Sequence, residues 1–357
     1  MLRRGGALVA ALAFACALAA PAAAQQAVKV TFISGFAPNV TFTGAFTGAY
    51  VKGVEEALAK GGKYRIDWNM AHSGQVAKPR GEFEALQSGL GDIATVPTPY
   101  FFDRVPLYQT PYVTPFTTKE PGAIGDAYTA IHAKFPQFAA AWASGNQVAL
   151  ASTANADRYV LVSTVPLKTL ADLKGKKIGG VGANLRWVTP VGATGVTQGL
   201  ADFFNGLQTG LVTAVIGWPQ AMGAFKLCEP APHTLDPGFG ASSVINLNAN
   251  RDWFGKLPED VRKALLDAGN IWHRDQLRLL AEGAADGIER CRRDFKMQWT
   301  DLSADETRQW AMALPPMALE WAAEMDKAAL PGTAVLAAYM DSMRAAKQPV
   351  VRDWDKE

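Results

Sequence analysis

The 357-residue chain is poor in the side chains that carry covalent and metal chemistry. It has three cysteines and four histidines. His72, His132, His233 and His273 form no His-Glu-x-x-His pair and no other convincing ligand spacing, so no metal is expected. There is no Cys-x-x-Cys pair, which removes the dithiol redox and zinc-ribbon readings. Gly-x-Ser-x-Gly, Walker and Gly-x-Gly-x-x-Gly signatures are also missing. Gly179-Gly180-Val181-Gly182 is glycine-rich after a strand but has the wrong spacing for a dinucleotide. No cofactor and no enzyme activity are expected.

Charge excess is lacking as well. Removing Arg3 and Arg4 from the 35 basic residues leaves 33, against 33 acidic residues. There is no basic tail and no Arg/Lys stripe with interleaved aromatics, so nucleic acid is not an expected partner. Beyond the N-terminus no window is apolar enough to read as a membrane span.

The N-terminus itself reads as a secretory signal over residues 1–24. Arg3 and Arg4 precede an apolar stretch from Ala7 to Ala20, and Pro21-Ala22-Ala23-Ala24 offers a small-residue cleavage site before Gln25. The stretch is short for a retained anchor. With no lipid-accepting cysteine at the cut, the mature protein is expected to be soluble and periplasmic. Cys16 leaves with the signal. Cys228 and Cys291 either pair in an oxidising compartment or remain as buried thiols.

What the mature chain does have is length, apolar residues and tryptophan. At 49% hydrophobic it supports a large core and two lobes. Ten tryptophans is a high count, and several stand beside Gly, Pro or polar residues, as pocket-lining rings would. Strands are expected at 27–34, 64–70, 92–96, 177–181, 211–216 and 242–247, with two more in 146–164. Phe46, Tyr50, Val54 and Leu58 recur every four residues and mark a helix that Gly61-Gly62 stops. A second helix is expected at 79–89. Strand–helix–strand alternation implies an α/β layer with parallel pairing. Six prolines in 97–121, interleaved with Tyr100, Phe101, Phe102, Tyr108, Tyr112 and Phe116, forbid a long regular helix there. From Pro258 to Phe295 the pattern is helical. Ser303 and Glu306 form a capping box that opens another helix, Pro315-Pro316 breaks it, and helices resume at 317–328 and 333–346.

Several of these segments together resemble the DctP-like solute-binding proteins of tripartite ATP-independent periplasmic (TRAP) transporters. The segments are Ser73-Gly74-Gln75-Val76, Glu84 through Asp92, Pro115-Phe116, Asp172-Leu173-Lys174-Gly175-Lys176-Lys177-Ile178, the run Gly206 to Ile216, Asn250-Arg251-Asp252-Trp253 and Leu257-Pro258. Their order and spacing, over nearly the whole mature chain, carry the resemblance. It implies an α/β fold of two lobes, with an interlobe cleft and long C-terminal helices. Lobe I would take 27–149 and 239–280, and lobe II 150–238 and 281–357. It also implies capture of a small solute, with an organic acid favoured, and delivery to the membrane subunits of a TRAP permease. A neutral or aromatic solute and a sensor-linked receptor are the alternatives.

The resemblance places a carboxylate-binding arginine where this chain has Gly179, followed by Gly180. Arg186 is the nearest replacement, unless it is an ordinary surface arginine. Arg158 and Tyr159 sit near another contact position. Trp218 and Gln220 follow a strand end, where α/β lobes meet ligands. Trp218 would wall a pocket or pack between the lobes, and Gln220 would bond a polar solute. Phe36, Phe101 and Phe102, after the first and third strands, are candidates to cover an apolar face.

Overall fold

The computed structural model describes residues 25–356, so the expected signal over 1–24 lies outside the described residues. Eleven strands form two sheets. In chain order they are β1 (Gln26–Ile33), β2 (Tyr64–Ala71), β3 (Ile93–Pro97), β4 (Gln147–Ala154), β5 (Tyr159–Ser163), β6 (Lys177–Gly180), β7 (Thr194–Thr197), β8 (Ala214–Gly217), β9 (His233–Gly240), β10 (Val244–Asn250) and β11 (Gln298–Asp301). The first sheet has the order β2-β1-β3-β10-β4 and the second β11-β9-β5-β8-β6-β7. β1 pairs in parallel with β2 and β3, as the intervening helices require. β10 is antiparallel to both β3 and β4. β3, β5 and β8 are buried along their whole length, which matches their largely apolar or small-residue runs, and β10 is buried too, with Asn246, Asn248 and Asn250 hydrogen-bonded to Ser152, Gln147 and the Leu86 carbonyl.

The chain passes between the sheets three times, twice through short segments and once through the long helix that leads from β10 to β11. It leaves the first at Ala154 and enters the second at Tyr159, then returns between Gly240 and Val244. The expected boundary at 149/150 therefore falls inside β4. The two short crossing segments are tied together: the Asn155 amide donates to the Ser243 carbonyl at 3.0 Å, and the Tyr159 and Ser243 hydroxyls are 2.9 Å apart. Gly240 is required here. Its φ is +75°, and a Cβ would stand 1.9 Å from the Thr118 carbonyl oxygen, which accepts the Ala241 amide.

The 27-residue helix Gly269–Phe295 runs along both halves. Near its start the Trp272 indole donates to the Phe42 carbonyl beside the first sheet. Farther on it packs on the helix Pro219–Ala224 beside the second, so closely that a Cβ on Gly287 would meet the Pro219 oxygen at 2.6 Å. Cys228 and Cys291 form a disulfide that fastens the end of this helix. The later helices Met317–Lys327 and Gly332–Ala345 pack on Thr110–Val113 and Pro121–Lys134. They thus return to the proline-rich segment and not only to the second sheet.

Candidate functional site

The strands β1, β3, β6 and β8 all end toward the space between the two sheets, the usual place for ligand contacts in α/β folds. Phe36 follows β1, and Phe42 lies on the short helix Thr41–Ala45. Pro97, Pro99 and Tyr100 follow β3. Asn155 and Tyr159 come from the first crossing. Val181 and Asn184 follow β6, Ile216 and Trp218 end β8, and Leu200 and Phe203 complete the wall. The void between these atoms is about 420 Å³, but a water centre can reach only about 20 Å³ of it. That is room for about one water molecule, so this is the closed arrangement of the cleft.

Aromatic rings dominate the wall. Tyr112 and Tyr159 share a 3.0 Å hydroxyl–hydroxyl hydrogen bond. Tyr159 also stacks edge-on against Trp218 and Trp187. Burial pushes the Tyr100 phenol up to about 12, with Arg80 opposing the rise, and raises Tyr112 and Tyr159 as well. All three phenols stay protonated and able to donate.

Two lining side chains hold unused hydrogen-bonding atoms. Asn184 accepts the Val181 amide through Oδ1 at 3.0 Å, and its Nδ2 has no acceptor among the described residues. Asn155 Oδ1 has no donor among the described residues. Nearby, Asp157 and Glu82 each keep one unpaired carboxylate oxygen. Burial pushes both up to about 7, against backbone N–H donors that pull them down.

Of the side chains expected from sequence, Phe36, Tyr159 and Trp218 line the cavity together. Gln220 lies just outside it: its Oε1 accepts the Trp218 indole N–H at 3.2 Å, while its amide reaches the Asn39 carbonyl across the cleft at 3.5 Å. Arg186 does not reach the cavity. Its guanidinium is 2.5 Å from Glu320 and half exposed, because the 3-10 turn Ala183–Trp187 aims Asn184 inward and Arg186 outward. Arg158 pairs with Asp236 at 3.6 Å and covers Trp299, also off the cavity wall. Phe101 is core, packed on Phe83, and Phe102 meets the edge of Tyr112 from behind.

Sequence reasoning missed Tyr100, Tyr112, Asn155 and Asn184. The proline-aromatic segment was the right signal for the tyrosines. The turn Thr98–Tyr100 after β3 shifts the inward position by one residue, to Tyr100. Asn155 and Asn184 stand near Tyr159 and Arg186, but nothing in their spacing marks them. At Gly179 the space a side chain would need is filled: a Cβ would lie 2.3 Å from Gln198 Oε1. Among the described residues no group of acidic, histidine and cysteine side chains is placed to hold a metal.

Two α/β halves, joined by three crossings of the chain and lining a small aromatic cavity, have the architecture of a two-lobed solute-binding protein. The family model for bacterial extracellular solute-binding proteins, family 7 (DctP), matches residues 40–324, and the chain belongs to that family. Its place of work is the periplasm. No curated protein matches the chain. Solved structures with the same fold include Bordetella pertussis DctP7, an extracytoplasmic solute receptor binding pyroglutamic acid. It is 17% identical, over 87% of this chain and 99% of that one, with a TM-score of 0.75. A TRAP solute-binding protein from Rhodoferax ferrireducens, in complex with copurified benzoate, is 18% identical over 90% and 98%, with a TM-score of 0.75. One from Bordetella bronchiseptica, with bound (R)- and (S)-mandelate, is 20% identical over 89% and 99%, with a TM-score of 0.74.

Proposed function

We propose that this protein is the extracytoplasmic receptor of a TRAP transporter, and that it captures a small solute bearing a flat ring and passes it to the membrane permease. The observation that carries the ring is the wall itself, with Phe36, Phe42, Tyr100, Tyr112, Tyr159, Phe203 and Trp218 facing one space. Flat π-faces at this density suit a planar or weakly polar ligand surface. Relatives with the same fold hold benzoate and mandelate, which supports a ring as cargo. The lobes are read as the two sheets with their helices, moving about residues 155–158 and 241–243. Solute joins them because the closed state offers it contacts from both.

The test is calorimetry and thermal shift with a library of ring compounds and of acyclic acids. Ring compounds should raise Tm by mass action. Trp218→Ala should weaken the best ligand by about 10- to 100-fold, the range expected for losing a buried aromatic anchor. Binding of acyclic acids alone, indifferent to Trp218, rejects the reading.

A further inference from the structure

We propose that the ring-bearing solute is recognised as a neutral carboxamide-like group, a carbonyl beside an N–H, and that a free carboxylate is discriminated against. The inference rests on the ring reading above and adds the chemistry of the polar end. Three observations carry it.

First, no Lys, Arg or His side chain lines the cavity. Arg80 is an exposed residue whose guanidinium covers Tyr100 at 5.0 Å and is not part of the wall. A carboxylate taken into this space would lose its hydration without a cation to replace it, which is costly.

Second, the fully buried side-chain atoms on the wall that lack a partner are one donor and one acceptor: Asn184 Nδ2 and Asn155 Oδ1. Asn184 is 1% exposed and Asn155 8%, so water does not serve them freely. A buried donor left unmatched and a buried acceptor left unmatched each destabilise the closed state until a ligand supplies the complement. A carboxylate complements only the donor and sets its second oxygen against the acceptor. A carboxamide, lactam or similar neutral group has a carbonyl for Asn184 and an N–H for Asn155.

Third, the surroundings reinforce the preference. Asp157 and Glu82 are buried next to wall residues, Asp157 between Asn155 and Tyr159 in the chain and Glu82 on the Gly35 amide beside Phe36, each with an oxygen that has no donor. Such acceptor-rich surroundings disfavour a further anion and favour N–H groups.

The experiment uses matched pairs that differ only at the polar end: benzamide against benzoate, and nicotinamide against nicotinate. Affinities are measured by calorimetry at pH 7.5 on the mature chain. Each amide is expected to bind at least about tenfold more tightly than its acid. Asn184→Asp is the diagnostic variant. It keeps the oxygen that accepts the Val181 amide and exchanges the free donor for an acceptor. It should reduce amide affinity by about tenfold or more, measured at a temperature where the variant is folded, because the buried carboxylate should also lower the unliganded Tm. Asn155→Ala should weaken the amides and leave the acids no weaker, since it also removes the acceptor that opposes them, a split that general misfolding would not produce. An acid binding more tightly than its amide, with Arg80→Ala abolishing that binding, overturns the proposal and leaves the ring reading standing. If neither member of either pair binds, the ring reading fails and this inference falls with it.

Discussion

At the residue scale, the side chains that look most functional in the sequence are engaged elsewhere. Arg186 is held by Glu320 in an exposed pair, and such pairs contribute about 0–1 kcal/mol. Arg186→Ala should therefore leave solute affinity unchanged in calorimetry and shift stability by no more than that; a tenfold loss of affinity would return Arg186 to the site. Gly179 is a packing requirement. A Cβ there meets Gln198 Oε1 at 2.3 Å and Val215 Cγ1 at 3.1 Å, inside a filled layer. Gly179→Ala should cost about 1–3 kcal/mol by overpacking, and adding Gln198→Ala should recover most of it in urea unfolding. Asp157 and Glu82 give a pH dependence of definite sign. Burial raises them from 3.8 and 4.5 to about 7, so the folded state keeps protons that the unfolded chain releases above about pH 4. Their contribution is present at acidic pH and is lost as pH rises through 7. The lowered pKa values of Asp172, Asp294 and Asp326 act in the opposite sense, only near and below pH 4. Burial lowers His132 to about 4 and lowers His273, which opposes that loss below about pH 6.5, so the urea midpoint should fall most clearly between pH 6.5 and 7.5, and Asp157→Asn should flatten that slope. A midpoint that rises over the same interval would contradict this assignment.

At the scale of elements, short turns decide which residues face the cleft. Thr98–Tyr100 and Ala183–Trp187 are 3-10 turns after β3 and β6, and each rotates one polar or aromatic residue inward while its neighbour points away. Helix ends follow their signals more simply. Ser303 accepts the Glu306 amide as the capping pattern predicts, and Glu306 also accepts the Leu170 amide from the second half, a tertiary use that no local pattern reveals. The long helix Gly269–Phe295 depends on the Cys228–Cys291 bond, which closes a loop with a sequence separation of 63. Chain entropy alone assigns such a loop roughly 4 kcal/mol. The Cys228→Ala, Cys291→Ala double variant should lose about that much in urea unfolding, whereas an unchanged midpoint would mean the helix is held by packing alone.

At the scale of the whole molecule, the cavity reaches only about 20 Å³ for a water centre, far less than any organic solute requires. Entry therefore demands separation of the two halves. The short covalent crossings are 155–158 and 241–243, supported by the Phe116–Phe239 and Ala241–Thr118 backbone bonds, and the helix Gly269–Phe295 makes the third. Small-angle scattering should give a larger radius of gyration for the ligand-free protein than for the same protein saturated with its best ring ligand. Identical profiles, with calorimetry reporting binding, would show that the halves do not move.

The sequence by itself determined the α/β rhythm, most of the strands, the helical C-terminal third and the two-lobed class, because apolar periodicity, glycine stops and caps act over a few residues. It also marked Phe36 and Trp218, since each follows a strand, and Tyr159 through the family resemblance. It left β7, β9 and β11 unread: β9 contains Pro237 and Gly238, and the other two are four-residue edge strands. Only the tertiary structure decided that Cys228 meets Cys291, that Arg186 turns to Glu320, and that Asn155 and Asn184 come to one cavity. Those outcomes depend on how two sheets and a long helix pack across large sequence separations, and side-chain direction at a turn changes with a one-residue shift that composition and spacing do not record.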